Sequence, residues 1–325
     1  MGSRVLVVGG AGYIGSICAA ALRSAGHQTV ALDDLSTGHR EAVQGELVVA
    51  DVRDRLTVAR VLREGRFDAV MHFAAKSQVG ESMRSPVQYY DVNMGGTAAL
   101  LDAMDSAGVR VLVFSSTCAI YGDPRYLPLD EAHPHAPVSV YGDSKAMVER
   151  LLAAAREREG LRVTTLRYFN AAGAMPDGSL GESHDPETHL IPLALQAAMG
   201  KRGALSLFGD DYETRDGTCV RDYIHVLDLA EAHRLAMERL LAGDAGDAYN
   251  VGTGVGTTVK EVLDAIHRVS GSPVPYELAE RREGDPPELF AQADHIRTQL
   301  GWEPRWTAID DIIRTATEWA RAPRY

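Results

Sequence analysis

Short apolar segments recur along the first half of the chain, separated by longer stretches of mixed polarity. The apolar segments lie at 5–8, 29–32, 47–49, 69–73, 111–114 and 163–169. They are continuous rather than alternating, which is typical of strands buried on both faces of a sheet. Between them, apolar residues recur every three or four positions at 86–104 and 140–158, which predicts amphipathic helices. This order of strands and helices predicts a doubly wound parallel sheet with helices on both faces.

The pattern changes after residue 170. Residues 171–189 are rich in glycine, proline and polar side chains, which is typical of an ordered functional loop or a hinge. Helical patterns follow near 189–200, 226–242, 258–270 and 307–320. We therefore expect residues 1–170 to form the main domain, with a segment near 218–245 returning to it. Residues 171–325 are expected to form mainly a smaller C-terminal α/β lobe.

A glycine-rich turn follows the first predicted strand. Gly9, Gly12 and Gly15 have the spacing GxxGxxG between that strand and a predicted helix. Glycines allow a tight turn and let the backbone approach a pyrophosphate at the helix N-terminus. Asp33 ends the second strand, where its carboxylate can accept hydrogen bonds from ribose hydroxyls and would repel a 2′-phosphate. The combination predicts a Rossmann-type site for NAD rather than NADP.

Asp51 follows the third predicted strand. Its position is compatible with two roles, and the sequence does not decide between them. The carboxylate could accept a hydrogen bond from the adenine amino group, or it could cap the next helix.

A tyrosine and a lysine lie one helical turn apart in the segment YGDSK. Tyr141 and Lys145 share one face of the helix predicted at 140–158, and on spacing alone they are an ordinary surface pair. A tyrosine titrates at about pH 10 in isolation, and a nearby cation favours its phenolate. With a dinucleotide site upstream, we expect Tyr141 to be an acid/base residue. Lys145 would lower its pKa and hold the nicotinamide ribose.

Composition limits the choice of partners. The formal net charge is −12, so the chain has no general electrostatic reason to bind nucleic acid or an anionic membrane. Three cysteines that are far apart in the sequence argue against a disulfide framework or a zinc site and favour a reducing cytoplasm. No apolar run reaches about 18 residues, so no membrane span is expected. We expect no metal.

The chain resembles the extended short-chain dehydrogenase/reductases and, within them, the UDP-glucose 4-epimerase (UDP-galactose 4-epimerase) family. The resemblance covers nearly the whole length. It is carried by the segments GGAGYIGS, HFAAKSQVGES, YYDVNMGGT, FSSTCAIYG, YGDSK, RYFNAAGA, VRDYIHVLDLA, YNVGTG and RREGDPP. It implies NAD-dependent interconversion of UDP-glucose and UDP-galactose through a transient 4-keto sugar. A homodimer formed through the helices near 86–104 and 140–158 is also implied.

The resemblance implies further site residues. Thr117 would place a hydroxyl between the substrate and Tyr141, where a serine is more usual. The implied cofactor contacts, besides the residues above, are Tyr13, Ile14, Val52, Phe73, Ala74, Ala75, Asn93, Ser115 and Tyr168. The implied substrate contacts are Asn170, His189, Leu190, Phe208, Arg221, Arg282, Asp285 and Leu289. In this set Arg221 and Arg282 would bind the diphosphate, and Asp285 would bind the uridine ribose.

Two positions depart from the family pattern. The family often has a lysine where this chain has Ser77, and Lys76 lies one place earlier, so either residue could be the cofactor contact. The position that controls the size of the sugar pocket holds Leu289, which is intermediate between the tyrosine of hexose-specific enzymes and the small residues of enzymes that accept N-acetylhexosamines.

The same residues distinguish among alternative functions. A nucleotide-sugar 4,6-dehydratase needs an Asp–Glu pair after the threonine, and Cys118 and Ala119 stand there. Epimerisation of UDP-N-acetylglucosamine, UDP-glucuronate or a UDP-pentose stays open. A non-enzymatic NAD-sensing regulator is the other alternative, and it is disfavoured because such proteins typically lack the Tyr–Lys pair.

Overall fold

The computed structural model describes residues 2–282 and 284–325. The strands are β1 (Arg4–Val8), β2 (Gln28–Asp33), β3 (Glu46–Val49), β4 (Ala69–His72), β5 (Val111–Thr117), β6 (Arg162–Tyr168), β7 (Asn170–Ala172), β8 (Leu205–Phe208), β9 (Val220–His225), β10 (Ala248–Val251), β11 (Gly256–Thr258), β12 (Tyr276–Ala279) and β13 (Glu288–Leu289). The α-helices are α1 (Tyr13–Ser24), α2 (Arg55–Gly65), α3 (Val79–Arg84), α4 (Pro86–Tyr89), α5 (Gly96–Ala107), α6 (Val140–Glu159), α7 (Leu190–Ala198), α8 (Val226–Leu241), α9 (Val259–Ser270), α10 (Asp294–Leu300) and α11 (Ile309–Arg321).

The central sheet has seven parallel strands in the order β10-β6-β5-β4-β1-β2-β3. This arrangement confirms the predicted doubly wound α/β fold. The strand order reverses between β1 and β4, where the loops after the two strands diverge toward opposite faces. Open sheets of this kind bind ligands at the carboxyl edge beside such a point.

Apolar side chains cover both faces of this sheet. On one face, α2, α5 and α6 pack through residues such as Leu62, Leu100 and Leu152. On the other face, α1 and α8 pack through residues such as Leu22 and Leu229. Burial on both sides explains why the strand segments are continuously apolar rather than alternating.

The two long amphipathic patterns correspond to helical structure. The pattern at 86–104 is formed by α4, a π-helical stretch at Tyr90–Gly95, and α5. The pattern at 140–158 is α6. The π-helical stretch contains Asn93, which is buried, and such wide turns often mark functional positions.

The C-terminal part contains short strands that the apolar pattern did not reveal. β11, β9 and β13 form a small sheet in which β7 pairs with β9, while β12 pairs with β8. A separate apolar cluster joins α7, α9 and α11. After β9 the chain returns to the main sheet, because α8 packs on it and β10 pairs with β6. No helix in the described ranges has the length and hydropathy needed to cross a membrane.

Candidate active site

The glycine turn lies between β1 and α1, and its glycines are required by close packing. Gly9 has φ of +84°, and a Cβ there would lie 2.4 Å from the Ala74 nitrogen. A Cβ on Gly15 would lie 2.1 Å from the Gly9 carbonyl oxygen. Helix α1 begins at Tyr13 after Gly12, without a side-chain cap and without an acidic residue in its first turn. Its first N–H groups are therefore suited to an anionic ligand.

Asp33 is held in one orientation at the end of β2. One carboxylate oxygen accepts a hydrogen bond from the Ala11 N–H, and the other accepts one from the Leu35 N–H, both at 2.9 Å. Burial raises the pKa of Asp33, although these two hydrogen bonds act in the opposite direction. A fixed acceptor at this position fits the predicted contact with ribose hydroxyls.

Asp51 does not cap the following helix, so that alternative is wrong. Asp54 caps α2 by accepting a hydrogen bond from the Thr57 N–H. Asp51 instead pairs with Arg53 at 2.5 Å, and this pairing lowers the pKa of Asp51. The neighbouring Val52 is buried in the apolar core.

The predicted cofactor residues lie at the same edge of the sheet because they follow adjacent parallel strands. Their positions are Tyr13 and Ile14 at the start of α1, Val52 after β3, Phe73, Ala74 and Ala75 after β4, Ser115 in β5 and Tyr168 at the end of β6. The Phe73 and Ala74 N–H groups both donate to the Val8 carbonyl, at 2.7 and 3.0 Å. This arrangement fixes the loop after β4 beside the glycine turn.

Asn93 is committed to hydrogen bonds within the protein. Its oxygen accepts from the Lys76 N–H at 2.8 Å, and its amide nitrogen donates to the Lys76 carbonyl at 3.0 Å and to Ser144 Oγ at 2.9 Å. Asn93 therefore connects the loop after β4 to the first turns of α6. The Lys76 ammonium pairs with Glu81 at 3.0 Å, and the choice between Lys76 and Ser77 as a cofactor contact stays a prediction.

Tyr141 and Thr117 meet where α6 begins beside the end of β5. Ser139 caps α6 by accepting a hydrogen bond from the Gly142 N–H at 3.1 Å. Thr117 Oγ1 accepts one from the Ala119 N–H at 3.1 Å. Burial raises the pKa of Tyr141 to about 12, and a hydrogen bond with Thr117 acts in the opposite direction. Thr117 therefore lies close enough to Tyr141 to influence its pKa, and a hydroxyl bridge between them stays a prediction.

Lys145 lies one turn further along α6 and is buried. Its ammonium donates to the Ser115 carbonyl at 2.7 Å and lies 4.7 Å from the centre of the Phe114 ring. Burial lowers the pKa of Lys145 to about 7. The expectation that Lys145 lowers the pKa of Tyr141 is not met in the protein alone. Burial disfavours the charged form of both groups and outweighs their spacing on the helix.

A buried ion pair behind this site was missed by the sequence analysis. Glu149 and Arg167 approach to 2.7 Å, and each side chain is less than a tenth exposed. Glu149 also accepts a hydrogen bond from Ser116 Oγ at 2.6 Å and favours the charged form of Lys145, raising the pKa of that group. Arg167 donates to the Tyr121 hydroxyl at 3.1 Å. The one available signal was an arginine inside an apolar strand.

Ser115 and Tyr168 form a second hydroxyl pair deeper in the same edge, where their side chains are hydrogen-bonded to each other. Burial raises the pKa of Tyr168, and the nearby Tyr141 adds to the effect. Tyr168 is therefore neutral, and its hydroxyl joins the end of β6 to β5.

The predicted substrate residues around β9 are brought together. Arg221 donates to Asp285 Oδ1 at 2.7 Å and to the Pro286 carbonyl at 2.9 Å. Leu289 is paired with Arg221 across β13 and β9 and packs against the cluster that contains Cys118. Asn170, one residue beyond the end of β6, begins β7 and pairs with β9. These residues extend the candidate site away from Tyr141.

The remaining substrate residues form two smaller groups. Arg282 lies 4.0 Å from the centre of the Phe208 ring, a cation–π contact. His189 immediately precedes α7, which begins at Leu190. The His189 side chain makes no hydrogen bond to the helix. His189 instead contacts Glu182 at 2.7 Å, and nearby carboxylates raise its pKa to about 10.

The chain is similar in sequence and in structure to known epimerases. Residues 5–252 match the model of the NAD dependent epimerase/dehydratase family. The chain is 52% identical over 319 residues to the UDP-glucose 4-epimerase of Rhizobium leguminosarum bv. trifolii, covering 98% of this chain and 97% of that protein. The structure of the Brucella ovis UDP-glucose 4-epimerase in complex with NAD is similar at 47% identity, with a TM-score of 0.96 and 98% of each chain covered. The Bifidobacterium longum UDP-glucose 4-epimerase in complex with NAD⁺ and UDP is similar at 34% identity, with a TM-score of 0.94 and 99% of each chain covered.

Proposed function

The chain belongs to the NAD dependent epimerase/dehydratase family, and from that premise we propose that it interconverts UDP-glucose and UDP-galactose by NAD-dependent 4-epimerisation. The observation that carries this function is the grouping of Tyr141, Thr117 and Lys145 beside the glycine turn. In support, all three residues lie on β5 and α6 at one edge of the sheet, and Lys145 donates to the Ser115 carbonyl at 2.7 Å. Relatives with this activity cover nearly the whole chain.

The residues around the glycine turn fit NAD. The uncapped start of α1 suits the pyrophosphate, and Asp33 presents a fixed carboxylate to the adenosine ribose. The negative charge of Asp33 disfavours the 2′-phosphate of NADP. When bound, NAD would accept a hydride from carbon 4 of the sugar and return it to the opposite face.

The protein's own groups would handle the proton and the orientation of the sugar. Tyr141 would take the proton of the sugar 4-hydroxyl and later return it, with the Thr117 hydroxyl bridging the two oxygens. Lys145 would hold the nicotinamide ribose, and the positive charge of bound NAD⁺ would favour the phenolate form of Tyr141, since Lys145 does not lower the pKa of Tyr141 in the protein alone. A transient 4-keto sugar would rotate within the pocket before the hydride and proton return. Because the same atoms leave and return, the sugar undergoes no net oxidation.

Two arginines would hold the diphosphate. Arg221 and Arg282 are paired in the protein with Asp285 and with the Phe208 ring, respectively. A planar guanidinium can bind a phosphate through one edge while keeping a protein partner on the other. Asp285 would then accept the uridine ribose hydroxyls. Asn170 would contact the diphosphate or the sugar, and His189, Leu190 and Phe208 would line the uracil side.

The identity of the sugar depends on Leu289. Its partly buried side chain packs beside Cys118 and Leu129, and leucine is smaller than the tyrosine that excludes N-acetyl groups. UDP-N-acetylglucosamine is therefore the second candidate substrate. UDP-glucuronate and UDP-pentoses share the redox step at carbon 4. A regulatory protein without turnover would have no use for Tyr141 and Lys145.

We propose that two chains form a homodimer through the helices near 86–104 and 140–158, extended by the preceding helix α3. In support, Val79, Met83 and Val87 are 49%, 58% and 78% exposed on this side of the protein. Clusters of exposed apolar side chains are typical of interfaces. A reducing cytoplasm stays a prediction that rests on three buried, free cysteines.

The experiment that tests this function is a substrate panel without added cofactor. We expect purified protein to release bound NAD on denaturation and to interconvert UDP-glucose and UDP-galactose. The panel also contains UDP-N-acetylglucosamine, UDP-N-acetylgalactosamine, UDP-glucuronate and a UDP-pentose. If the protein turns over only one of these four UDP-sugars, that sugar becomes the assigned substrate. Bound NAD with no turnover of any substrate would identify a regulator and overturn the proposed activity.

A further inference from the structure

Two glutamates and two histidines converge in the loop that precedes α7. Potential ligand atoms of Glu182, His184, Glu187 and His189 all lie within 4.8 Å of one another. We infer that these four residues, the Glu–His cluster, bind a divalent first-row transition metal such as zinc. The cluster contains none of Tyr141, Thr117 and Lys145, but it shares His189 with the proposed uracil-side contacts, so a metal bound through Nδ1 would leave the Nε2 atom of His189 for that contact.

Three of the four contact distances within the Glu–His cluster are close to the edges of a tetrahedral metal site, and the fourth is shorter. The His184 Nδ1 atom lies 3.3 Å from Glu182 Oε1 and 3.5 Å from Glu187 Oε2. The His189 Nδ1 atom lies 2.7 Å from Glu182 Oε1 and 3.2 Å from Glu187 Oε1. Metal–ligand bonds of about 2.0–2.2 Å in a tetrahedron place neighbouring ligand atoms roughly 3.3–3.6 Å apart. Small side-chain movements would therefore bring all four atoms onto one ion.

One histidine nitrogen points into the Glu–His cluster without a hydrogen bond. Among the described residues, His184 Nδ1 is a solvent-inaccessible polar atom with no hydrogen-bond partner. Its two carboxylate neighbours lie within ion-pair distance but in poor alignment for an N–H donor. Buried polar atoms are rarely left without a partner. A metal ion at the centre would provide one, because a metal needs a lone pair rather than an aligned hydrogen.

The charges in the Glu–His cluster also favour a cation. The side chains of Glu182 and Glu187 are each 8% exposed, and in the described residues their ion-pair partners are only the two histidines. Two nearly buried carboxylates need compensating positive charge. In the metal-free protein the two protonated histidines supply it, and a divalent ion would displace their protons and supply it instead, with both imidazoles in the neutral form that binds metals.

Backbone groups orient the carboxylates. The N–H groups of Thr188 and His189 donate to Glu187 Oε1 at 2.7 and 2.8 Å. This leaves Glu187 Oε2 directed at His184. Outer contacts of this kind fix ligand orientation in metal sites. The half-exposed His189 side chain leaves a route by which an ion can enter.

The bound metal would be a cross-link rather than a catalyst. Four protein ligands fill a tetrahedral site, whereas catalytic zinc keeps one position open. The loop contacts distant segments, because His39 bonds the Ser183 carbonyl at 3.1 Å, Gln78 bonds the Pro186 carbonyl at 3.3 Å, and Trp319 bonds the Glu182 carbonyl at 2.7 Å. A metal there would fasten the start of α7 to both sides of the molecule.

The sequence pattern did not reveal the site because none of its ligands is a cysteine. The spacing in ESHDPETH places two Glu-x-His pairs close together, and only the turn of this loop directs all four side chains inward. This inference departs from the prediction that the protein binds no metal.

The test measures metal binding directly. Protein dialysed against a chelator is titrated with zinc in competition with a chromogenic chelator, and thermal unfolding is followed with and without zinc. We expect one tight equivalent of zinc and a raised Tm. The double variant H184N/E187Q should bind zinc at least ~100-fold more weakly and show no zinc-dependent rise in Tm. The matched control is H295N, which removes a histidine paired with Asp247 at 3.1 Å elsewhere on the surface and should bind zinc like the parent protein.

A second measurement uses the unaltered protein, so that misfolding of a variant does not decide the result. Cobalt(II) should give the intense visible absorption of a tetrahedral ion, and X-ray absorption of the zinc form should show two nitrogen and two oxygen ligands. Equal zinc binding by H184N/E187Q and the parent protein would overturn the assignment. An octahedral cobalt spectrum, or no retained equivalent in the parent protein, would reduce the Glu–His cluster to an ion-pair network.

Discussion

The Lys145 ammonium donates to the Ser115 carbonyl oxygen at 2.7 Å. This contact joins α6 to β5 two residues before Thr117, so the helix that carries Tyr141 is fastened to the strand that carries its hydroxyl partner. The position of Lys145 is therefore part of the geometry of the site, while its charge is weakly favoured, because burial lowers its pKa to about 7. The two aspects of the lysine can be separated by substitution.

Removing the Tyr141 hydroxyl should abolish most turnover. In Y141F no base is positioned to accept the proton of the sugar 4-hydroxyl. We therefore expect kcat to fall by about 10²–10⁴-fold. The apolar ring is retained, so Tm and the content of bound NAD should be unchanged. The control is Y126F, which removes an exposed tyrosine hydroxyl bonded to Asp130. Near-normal activity of Y141F would refute its assigned role as the base.

Replacing Lys145 should separate activity from stability. Methionine keeps the buried aliphatic volume and removes the ammonium, so K145M should lose most activity and retain less NAD. Its free energy of unfolding should be equal or higher, because a buried ammonium is costly. The control is K201M, since Lys201 is exposed and donates to the Ala320 carbonyl. A K145M protein that is less stable yet active would show that the lysine is structural.

The pH dependence of stability should report the buried lysine. The pKa of Lys145 is lowered to about 7 in the folded protein, against about 10.4 in an unfolded chain. Between these values only the unfolded chain holds the proton, so the contribution of Lys145 to the free energy of unfolding rises with pH. Below about pH 7 the penalty for burying the charge is present in full.

Two histidines change the free energy of unfolding with pH in the opposite direction to Lys145. The measurement must therefore compare the parent protein with K145M. Carboxylates raise the pKa of His184 to about 9 and of His189 to about 10, and their stabilisation is present below about pH 6.5 and lost as pH rises. We therefore compare the denaturant-derived free energy of unfolding of the parent protein and K145M across this range. The free energy of unfolding of the parent protein should rise relative to that of K145M from about pH 7 to 9. A difference that does not change with pH would contradict the buried, neutral lysine.

Neutralising Asp33 should weaken the preference for NAD. In D33N the NH₂ group of the amide would face the N–H of either Ala11 or Leu35, so one hydrogen bond is lost. The negative charge that repels a 2′-phosphate is also lost. We expect NAD affinity to fall at least tenfold, since hydrogen bonds to charged groups contribute about 1.5–3 kcal/mol, while NADP affinity falls less. The ratio of the two dissociation constants is the measurement. The control is D34N, whose exposed carboxylate bonds Ser36, and an unchanged ratio in D33N would refute the role of its charge.

The sequence predicted the carboxyl edge of the sheet because its signals are local. The glycine spacing, Asp33 and the Tyr141–Lys145 step each lie within one or two elements, and parallel strands bring them to the same edge. The Glu149–Arg167 pair joins different elements, and no local pattern links them. The pKa of Tyr141 was expected to be lowered, whereas the structure raises it. Spacing along a helix does not reveal how completely two groups are removed from water.

The sugar preference should change with the side chain at Leu289. Because β13 pairs with β9 at this position, the residue is held by two backbones and cannot move aside to admit a larger group. Tyrosine in L289Y should therefore exclude the N-acetyl group and lower kcat/KM for UDP-N-acetylglucosamine, while that for UDP-glucose changes little. Serine in L289S should do the reverse. The measured quantity is the ratio of the two kcat/KM values, and a size mismatch of a few methylenes should shift it by about 10–200-fold. An L289Y protein with an unaltered ratio would place the selective contact elsewhere in the pocket.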